Sequence, residues 1–406
     1  MKFDFDKIIR RRGTACVKWD ARPPYKENID TSDVIPMWVA DMDFEVAPCI
    51  SKAVQERAAH PVYGYNTVPP EYYEAVVRWF SERHGWKMDP SWILYTTGLV
   101  PAMSAVIKGI AEPGSKVVIL TPAYNCFFSA VRNNGNVLAE CPLIYKDRSH
   151  SIDFDLFEKI CEDPQCGTFL FCNPHNPSGR VWTREELKKL GDICLKNNVK
   201  VISDEIHCEF MMPGHEYIPF ASLGEEYQHN CVTLNAASKA FNTAGLQIGN
   251  IVSDNPLWRE KINKAMNINE IVDVNPFGHV ALRAAYSDEG AEWLKQLCEY
   301  IYGNYTMLVE MFRKEIPEFP VCKLEGTYLA WVDCSALKGM ETAEAERSLL
   351  INEKVWINSG TMYGKDGFMR INLAAPRALI KEGLERVIKG YRRLEKEAAE
   401  KKSLSC

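Results

Sequence analysis

Between about residue 90 and residue 255 the chain alternates short apolar runs with longer amphipathic stretches. The runs at 116–120, 168–171, 200–203, 231–234 and 248–251 are short, continuously apolar and rich in branched and aromatic side chains. That pattern belongs to strands covered on both faces. Among the intervening stretches, Thr183-Arg184-Glu185-Glu186 stands before Leu187, Leu190 and Ile193. A hydroxyl, a carboxylate three residues on and an apolar stripe describe a capped helix that packs on a sheet. The βαβ rhythm therefore predicts an α/β fold whose mostly parallel central sheet is sandwiched by helices. Beyond residue 288 the pattern changes. A long amphipathic helix over 293–312, a strand over 327–332 and a closing helix over 377–401 predict a smaller α+β domain. With 406 residues the chain exceeds the size at which one core keeps growing. The expected division is an N-terminal arm (1–45) packing with the small domain, a large α/β domain (46–287) and a small C-terminal domain (288–406).

Composition narrows the partners. Hydrophobic residues at 46%, charged residues at 25% and a net charge of -6 describe an ordinary globular protein and argue against nucleic acid. The short run Arg10-Arg11-Arg12 reads as an exposed helix end. Neither a signal-peptide pattern nor a stretch of about 18 apolar residues occurs, so a cytoplasmic protein without membrane contact is expected. Fourteen cysteines without any Cys-x-x-Cys pair fit reduced, mostly buried thiols.

The most informative short stretch is Ser238-Lys239-Ala240-Phe241-Asn242, which follows the strand at 231–234. It places a lysine at the strand's carboxyl end, where open α/β sheets bind ligands, and it reads as a Schiff-base lysine. Taken alone, such a lysine is more often a solvated side chain. Other strand ends supply companions, each suited to one part of pyridoxal phosphate. Asp204 ends the strand at 200–203 and suits the pyridine nitrogen, although a cap or loop ion pair is the plainer alternative. In Asn173-Pro174-His175-Asn176-Pro177-Ser178-Gly179 the two Asn-Pro steps force an irregular loop that aims the Asn176 amide, or simply turn the chain. Gly98 precedes a helical stretch, so the Leu99 and Val100 amides face outward at a helix N-terminus, a phosphate seat. Tyr124 offers a ring to stack on the pyridine, or a core side chain. In the small domain, Arg370 interrupts a strand-like run and offers a fork to a carboxylate, with a structural ion pair as the rival. Asp204, Glu205, His207, Cys208 and Glu209 do not converge if they alternate faces, so no metal site is expected.

These residues carry a resemblance. Phe3-Asp4-Phe5, Ala40-Asp41-Met42-Asp43-Phe44, Tyr63-Gly64-Tyr65, Thr121-Pro122-Ala123-Tyr124, Ser203-Asp204-Glu205-Ile206-His207, Ser238–Asn242, Thr327-Tyr328-Leu329-Ala330-Trp331 and Arg370-Ile371-Asn372 span nearly the whole chain. In them the chain resembles fold-type I, class I/II aminotransferase-like pyridoxal phosphate enzymes, and among these the MalY/PatB-type cystathionine β-lyases. The resemblance implies that Lys239 carries the cofactor's aldehyde, Asp204 pairs with its ring nitrogen, Asn176 meets its phenolic oxygen and Tyr124 stacks on its ring. It assigns Gly98, Leu99, Val100 and Ser238 to the phosphate. His207 stands where aminotransferases have a tyrosine near the phenolic oxygen. Arg370, Tyr124 and Ala40 are assigned to the substrate. Tyr65 is expected to reach the phosphate of a second subunit, which implies a homodimer with shared sites. Two positions depart from the pattern: Ala236 replaces a serine three residues before the lysine, and Gln247 replaces the aminotransferases' arginine eight after it. The implied activity is β-elimination from L-cystathionine or a related cysteine S-conjugate, to a thiol, pyruvate and ammonia. An aminotransferase is the alternative, because the same cofactor residues serve it. A non-catalytic relative would have lost Lys239, Asp204 or Asn176, and none is lost.

Overall fold

A computed structural model describes residues 3–25, 29–271 and 273–404. Strand β1 (Ile35–Pro36) lies apart from the main sheet. That sheet comprises β2 (Ile93–Thr96), β3 (Lys116–Thr121), β4 (Val137–Pro142), β7 (Cys166–Cys172), β8 (Lys200–Asp204), β9 (Cys231–Asn235) and β10 (Gly249–Val252), in the order β2-β10-β9-β8-β7-β3-β4. A hairpin of β5 (Ile144–Lys146) and β6 (Ser149–Ser151) extends from β4. Every neighbour in the main sheet is parallel except β10, which runs antiparallel to both β2 and β9. The run at 248–251 thus breaks the parallel rhythm. A parallel return needs a long crossover, and the β9–β10 connection contains only the short 3-10 turn Ala244–Leu246.

Burial on both sheet faces follows from the continuous apolar runs. Val117 and Ile119 of β3, Leu170 of β7, Ile202 of β8 and Val232 of β9 pack against the helices Leu99–Ile110, Asn125–Asn133 and Pro256–Ile268. Their neighbours Val118, Phe169, Val201 and Cys231 turn to the other face and meet Phe154–Cys161 and Arg184–Lys196. The second of these helices starts as its sequence dictates. Thr183 Oγ1 accepts from the Glu186 amide at 3.2 Å, and Glu186 accepts from the Thr183 amide at 2.8 Å.

The C-terminal part holds β11 (Leu329–Asp333), β13 (Asn358–Ser359) and β14 (Phe368–Asn372) in an antiparallel sheet of order β11-β14-β13, with the long helices Asp288–Glu315 and Arg377–Leu404. Strand β12 (Val355–Trp356) pairs in parallel with β1, so the N-terminal segment is stitched to this part of the chain. β11 begins two residues later than the apolar run suggests, because Thr327 adopts a positive φ of 70° and cannot extend the ladder.

The arginine run is a correction. Residues 10–12 form no helix, and two of the three guanidinium groups are engaged. Arg11 pairs with Asp41 at 2.6 Å and Asp43 at 2.7 Å, while Arg12 donates to the carbonyls of Trp19 and Val34. Burial would push the Asp43 carboxyl up, but Lys18 at 2.7 Å, with Trp19 and Arg11, holds it below its usual value. Among the described residues, thirteen cysteines are free thiols and no helix is long and apolar enough to cross a membrane.

Candidate active site

The carboxyl ends of β2, β3, β7, β8 and β9 deliver Gly98, Tyr124, Asn176, Asp204 and Lys239 to the rim of one cavity of about 430 Å³. The segment Trp38-Val39-Ala40 and Arg370 of β14 close its opposite side. Parallel strands with helical crossovers bring distant loops to one edge, which is why residues more than a hundred positions apart converge here.

The Lys239 amine donates to the carbonyl oxygen of Ala40 at 2.6 Å. Burial and the positive charge of Arg370 lower its pKa from 10.5 to about 8, against the pull of Asp41 and Asp204. Tyr328 donates its hydroxyl to the same Ala40 oxygen at 2.9 Å. Asp204, buried at the end of β8, accepts from the Ile206 amide at 3.2 Å, and burial raises its carboxyl to about 6. A cationic ring nitrogen beside it would restore the charged form.

Arg370 is only 3% exposed. Among the described residues its hydrogen-bond partners are neutral, Asn176 Oδ1 at 3.1 Å and the Trp38 carbonyl at 2.8 Å, and its Nε has none. No carboxylate pairs with this buried guanidinium among the described residues, so the structural ion pair is not what holds it, and its fork is available to an anion. Because Asn176 spends its oxygen on Arg370, its amide nitrogen remains the donor. His207 is buried with Nδ1 unpartnered, and burial together with Lys239 and Arg370 pushes its pKa well below 6.5.

At the other end of the cavity, Gly98 adopts φ 126° ahead of the helix Leu99–Ile110, whose first amides, on Leu99 and Val100, have no intrahelical acceptor. Ser238 and Gln247 line the same cavity, whereas Ala236 is packed in the core. Tyr65 is 99% exposed and stands outside the cavity of its own chain.

Trp38, Tyr328, Asn358, Tyr363 and Asn372 are contributors that residue chemistry alone does not single out. Asn372 Nδ2 donates to the carbonyls of Val39 at 2.5 Å and Asp41 at 2.7 Å, and Asn358 Nδ2 to that of Trp38 at 2.9 Å. The Arg370 guanidinium sits 4.8 Å over the Tyr363 ring. Neutral side chains carry no charge anomaly, so only Asn358 and Asn372, which sit in β13 and β14 with Arg370, have a strand position that could have marked them.

Of the five acidic, histidine and cysteine residues at 204–209 only Asp204 belongs to a strand, because β8 ends there and the chain turns, so it is this turn and not strand alternation that separates them. Asp204 and His207 line the cavity, and Glu205 is held by Ser203, Tyr217 and the Phe220 amide. Among the described residues one group of three metal-capable side chains occurs, His84, Cys208 and Glu209. Its carboxylate is taken by Trp79 Nε1 at 2.7 Å, His84 at 2.9 Å and Arg83 at 3.2 Å.

The cavity's donor set fits pyridoxal phosphate: an amine of lowered pKa for the aldehyde, a buried carboxyl for the ring nitrogen and free amides for the phosphate. The nitrogens of His207 and Arg370 that lack partners face this cavity and would find one in a bound group. Comparisons with known proteins agree with this chemistry. Cystathionine beta-lyase PatB of Bacillus subtilis is 40% identical over 386 residues, covering 95% of this chain and 98% of that protein. A PLP-bound putative aminotransferase from Clostridium difficile 630 superposes with a TM-score of 0.91 at 39% identity, covering 96% of this chain and 100% of that one. The PLP-bound C-S lyase from Staphylococcus hominis gives a TM-score of 0.88 at 34% identity, covering 96% of this chain and 98% of that one. The sequence profile of aminotransferase class I and II matches residues 32–387, and with a Lys239-centred cavity at the carboxyl edge of a mostly parallel sheet, the chain belongs to that family.

Proposed function

We propose that this chain is a pyridoxal phosphate-dependent carbon–sulfur β-lyase that cleaves L-cystathionine or related L-cysteine S-conjugates. The net reaction takes the thioether and one water to a thiol, pyruvate and ammonium. The observation that carries the reading is the meeting of Lys239, Asp204 and an unpaired Arg370 in one cavity, in a chain 40% identical to a cystathionine β-lyase. Pyridoxal phosphate, when bound, supplies the electron sink that lets the substrate lose its α-proton and then its Cβ–S bond.

The chain's own residues do the rest. Arg370 holds the α-carboxylate through its fork, with Nε still free. Lys239 removes the α-proton at Nζ, for which its lowered pKa keeps a useful fraction of free amine near neutral pH. The ammonium formed is held by the Ala40 carbonyl and stands ready to return a proton to the departing sulfur. Asp204 keeps the cofactor's ring nitrogen protonated, Asn176 donates to its phenolic oxygen, Tyr124 covers its ring, and the Leu99 and Val100 amides with Ser238 take its phosphate.

A homodimer completes the site in this reading, with Tyr65 of one subunit reaching the phosphate end of the other. Support comes from the exposed apolar surface of Val62, Tyr63 and Tyr65. A reducing, cytoplasmic setting is proposed from the thirteen free thiols.

The test is L-cystathionine added to the holoenzyme, with pyruvate and free thiol measured together. Equal amounts of both, abolished in Lys239→Ala, are expected. A new amino acid formed from an added 2-oxo acid, without thiol release, would assign the site to amino-group transfer instead.

A further inference from the structure

Among the described residues lining the cavity, the charged side chains are Asp204, Lys239 and Arg370. The lyase reading, on which the role of the remaining wall rests, spends all three on the cofactor's ring nitrogen, the α-proton and the α-carboxylate. In that reading the wall that continues from Arg370 is left to receive the sulfur substituent.

In that wall the polar atoms of Trp38 and Tyr363 are already bonded. Trp38 gives its carbonyl to Arg370 at 2.8 Å, its indole stacks on Trp356 with centroids 4.2 Å apart, and its Nε1 donates to the Lys18 carbonyl at 3.2 Å. Tyr363 lies beneath the Arg370 guanidinium, and its hydroxyl accepts from Asn358 at 2.9 Å. Next to it Met362 lines the cavity with a thioether that is 42% exposed. Two fixed aromatic groups and a pliable thioether form a surface for hydrocarbon. L-cystathionine carries a second ammonium and a second carboxylate at the far end of its sulfur substituent. Both would lose water against this wall without gaining a counter-ion from the described residues of this subunit.

We infer that Trp38, Met362 and Tyr363 form the binding wall for the sulfur substituent and select uncharged, apolar groups, so that S-alkyl and S-aryl L-cysteines are cleaved in preference to L-cystathionine. Arg370 anchors the shared amino-acid half, and the wall discriminates on the leaving half alone.

A matched pair isolates the charge. S-Propyl-L-cysteine is L-cystathionine with the distal ammonium and carboxylate replaced by hydrogen. With holoenzyme and pyruvate as the readout, kcat/KM for S-propyl-L-cysteine should exceed that for L-cystathionine by about tenfold or more. KM is compared separately, because the basicity of the leaving thiol acts on bond cleavage rather than on binding. Met362→Lys puts an ammonium on the wall at an exposed position and should narrow the ratio at least threefold, chiefly by lowering KM for L-cystathionine. Equal or reversed preference in the wild type, or an unchanged ratio in Met362→Lys, would overturn the wall while leaving the lyase intact, since pyruvate still forms. No pyruvate from either thioether would remove the lyase reading itself, and the inference with it.

Discussion

The side-chain amine of Lys239 and the main-chain carbonyl of Ala40, 199 positions apart, meet at 2.6 Å. Ala40 belongs to a segment in which the carbonyls from Trp38 to Met42, and that of Phe44, are held. Arg370 and Asn358 take Trp38, Asn372 takes Val39 and Asp41, and Asn242 takes Met42 and Phe44. The N-terminal segment is thereby laced to both the main sheet's loops and β14. The geometry of the lysine depends on both.

Reactivity of the lysine should follow its lowered pKa. Only the neutral amine attacks an aldehyde, so uptake of pyridoxal phosphate by cofactor-free protein is expected to accelerate with rising pH about a midpoint near 8. Stopped-flow absorbance across pH 6 to 11 measures this directly. A midpoint near the ordinary 10.5 would mean that burial and Arg370 do not act on Lys239 as the structure indicates.

Tyr328 shares the Ala40 oxygen with Lys239. Tyr328→Phe removes one of the two donors that aim this carbonyl, at a cost of about 1 kcal/mol for a neutral hydrogen bond. The expected kinetic result is a fall in kcat of about two- to tenfold with KM little changed. Steady-state kinetics on a variant with unaltered circular dichroism decides it.

Asn372 is buried, and its amide satisfies two main-chain carbonyls while its oxygen accepts from the Ala374 amide at 2.8 Å. Asn372→Ala strands the Val39 carbonyl and the Ala374 amide and leaves the Asp41 carbonyl with Lys18 at 3.3 Å. The expected loss of stability is about 2–4 kcal/mol by the usual cost of unpaired buried groups. Denaturant titration should show the midpoint moving down, together with a rise in KM as Ala40 loosens.

Glu209 ties Trp79, Arg83 and His84 to the segment after β8. Burial would raise its carboxyl, but His84, Arg83 and Trp79 outweigh it and lower the pKa from 4.5 to about 2. The folded value lies below the unfolded one, so the carboxylate's contribution is complete above about pH 4.5 and is lost as pH falls toward 2. Glu209→Gln should be less stable by about 3 kcal/mol at neutral pH, as expected for breaking a buried charge pair. Its stability should also decline less between pH 4.5 and 2 than that of the wild type. Parallel decline of the two proteins in a pH series of denaturation midpoints would contradict this role.

Local chemistry made much of this protein readable from its sequence. The main-sheet strands were legible because continuous apolar runs report burial on both faces, and the helix after Thr183 because a capping box is a contact between residues three apart. Lys239, Asp204, Asn176 and Gly98 stood out because each follows a strand, and strand ends in such sheets share one edge. Three matters were decided only in three dimensions. The direction of β10 depends on whether its connection can cross the sheet, which an apolar run does not encode. The engagement of Arg11 with Asp41 and Asp43 depends on a burial that places a carboxylate among cations. Whether Arg370 is half of an ion pair depends on which groups fold beside it, and its hydrogen-bond partners among the described residues are neutral. Sequence periodicity and turn chemistry act between near neighbours, whereas the charge balance of a buried group is a sum over everything the fold brings within a few ångströms of it.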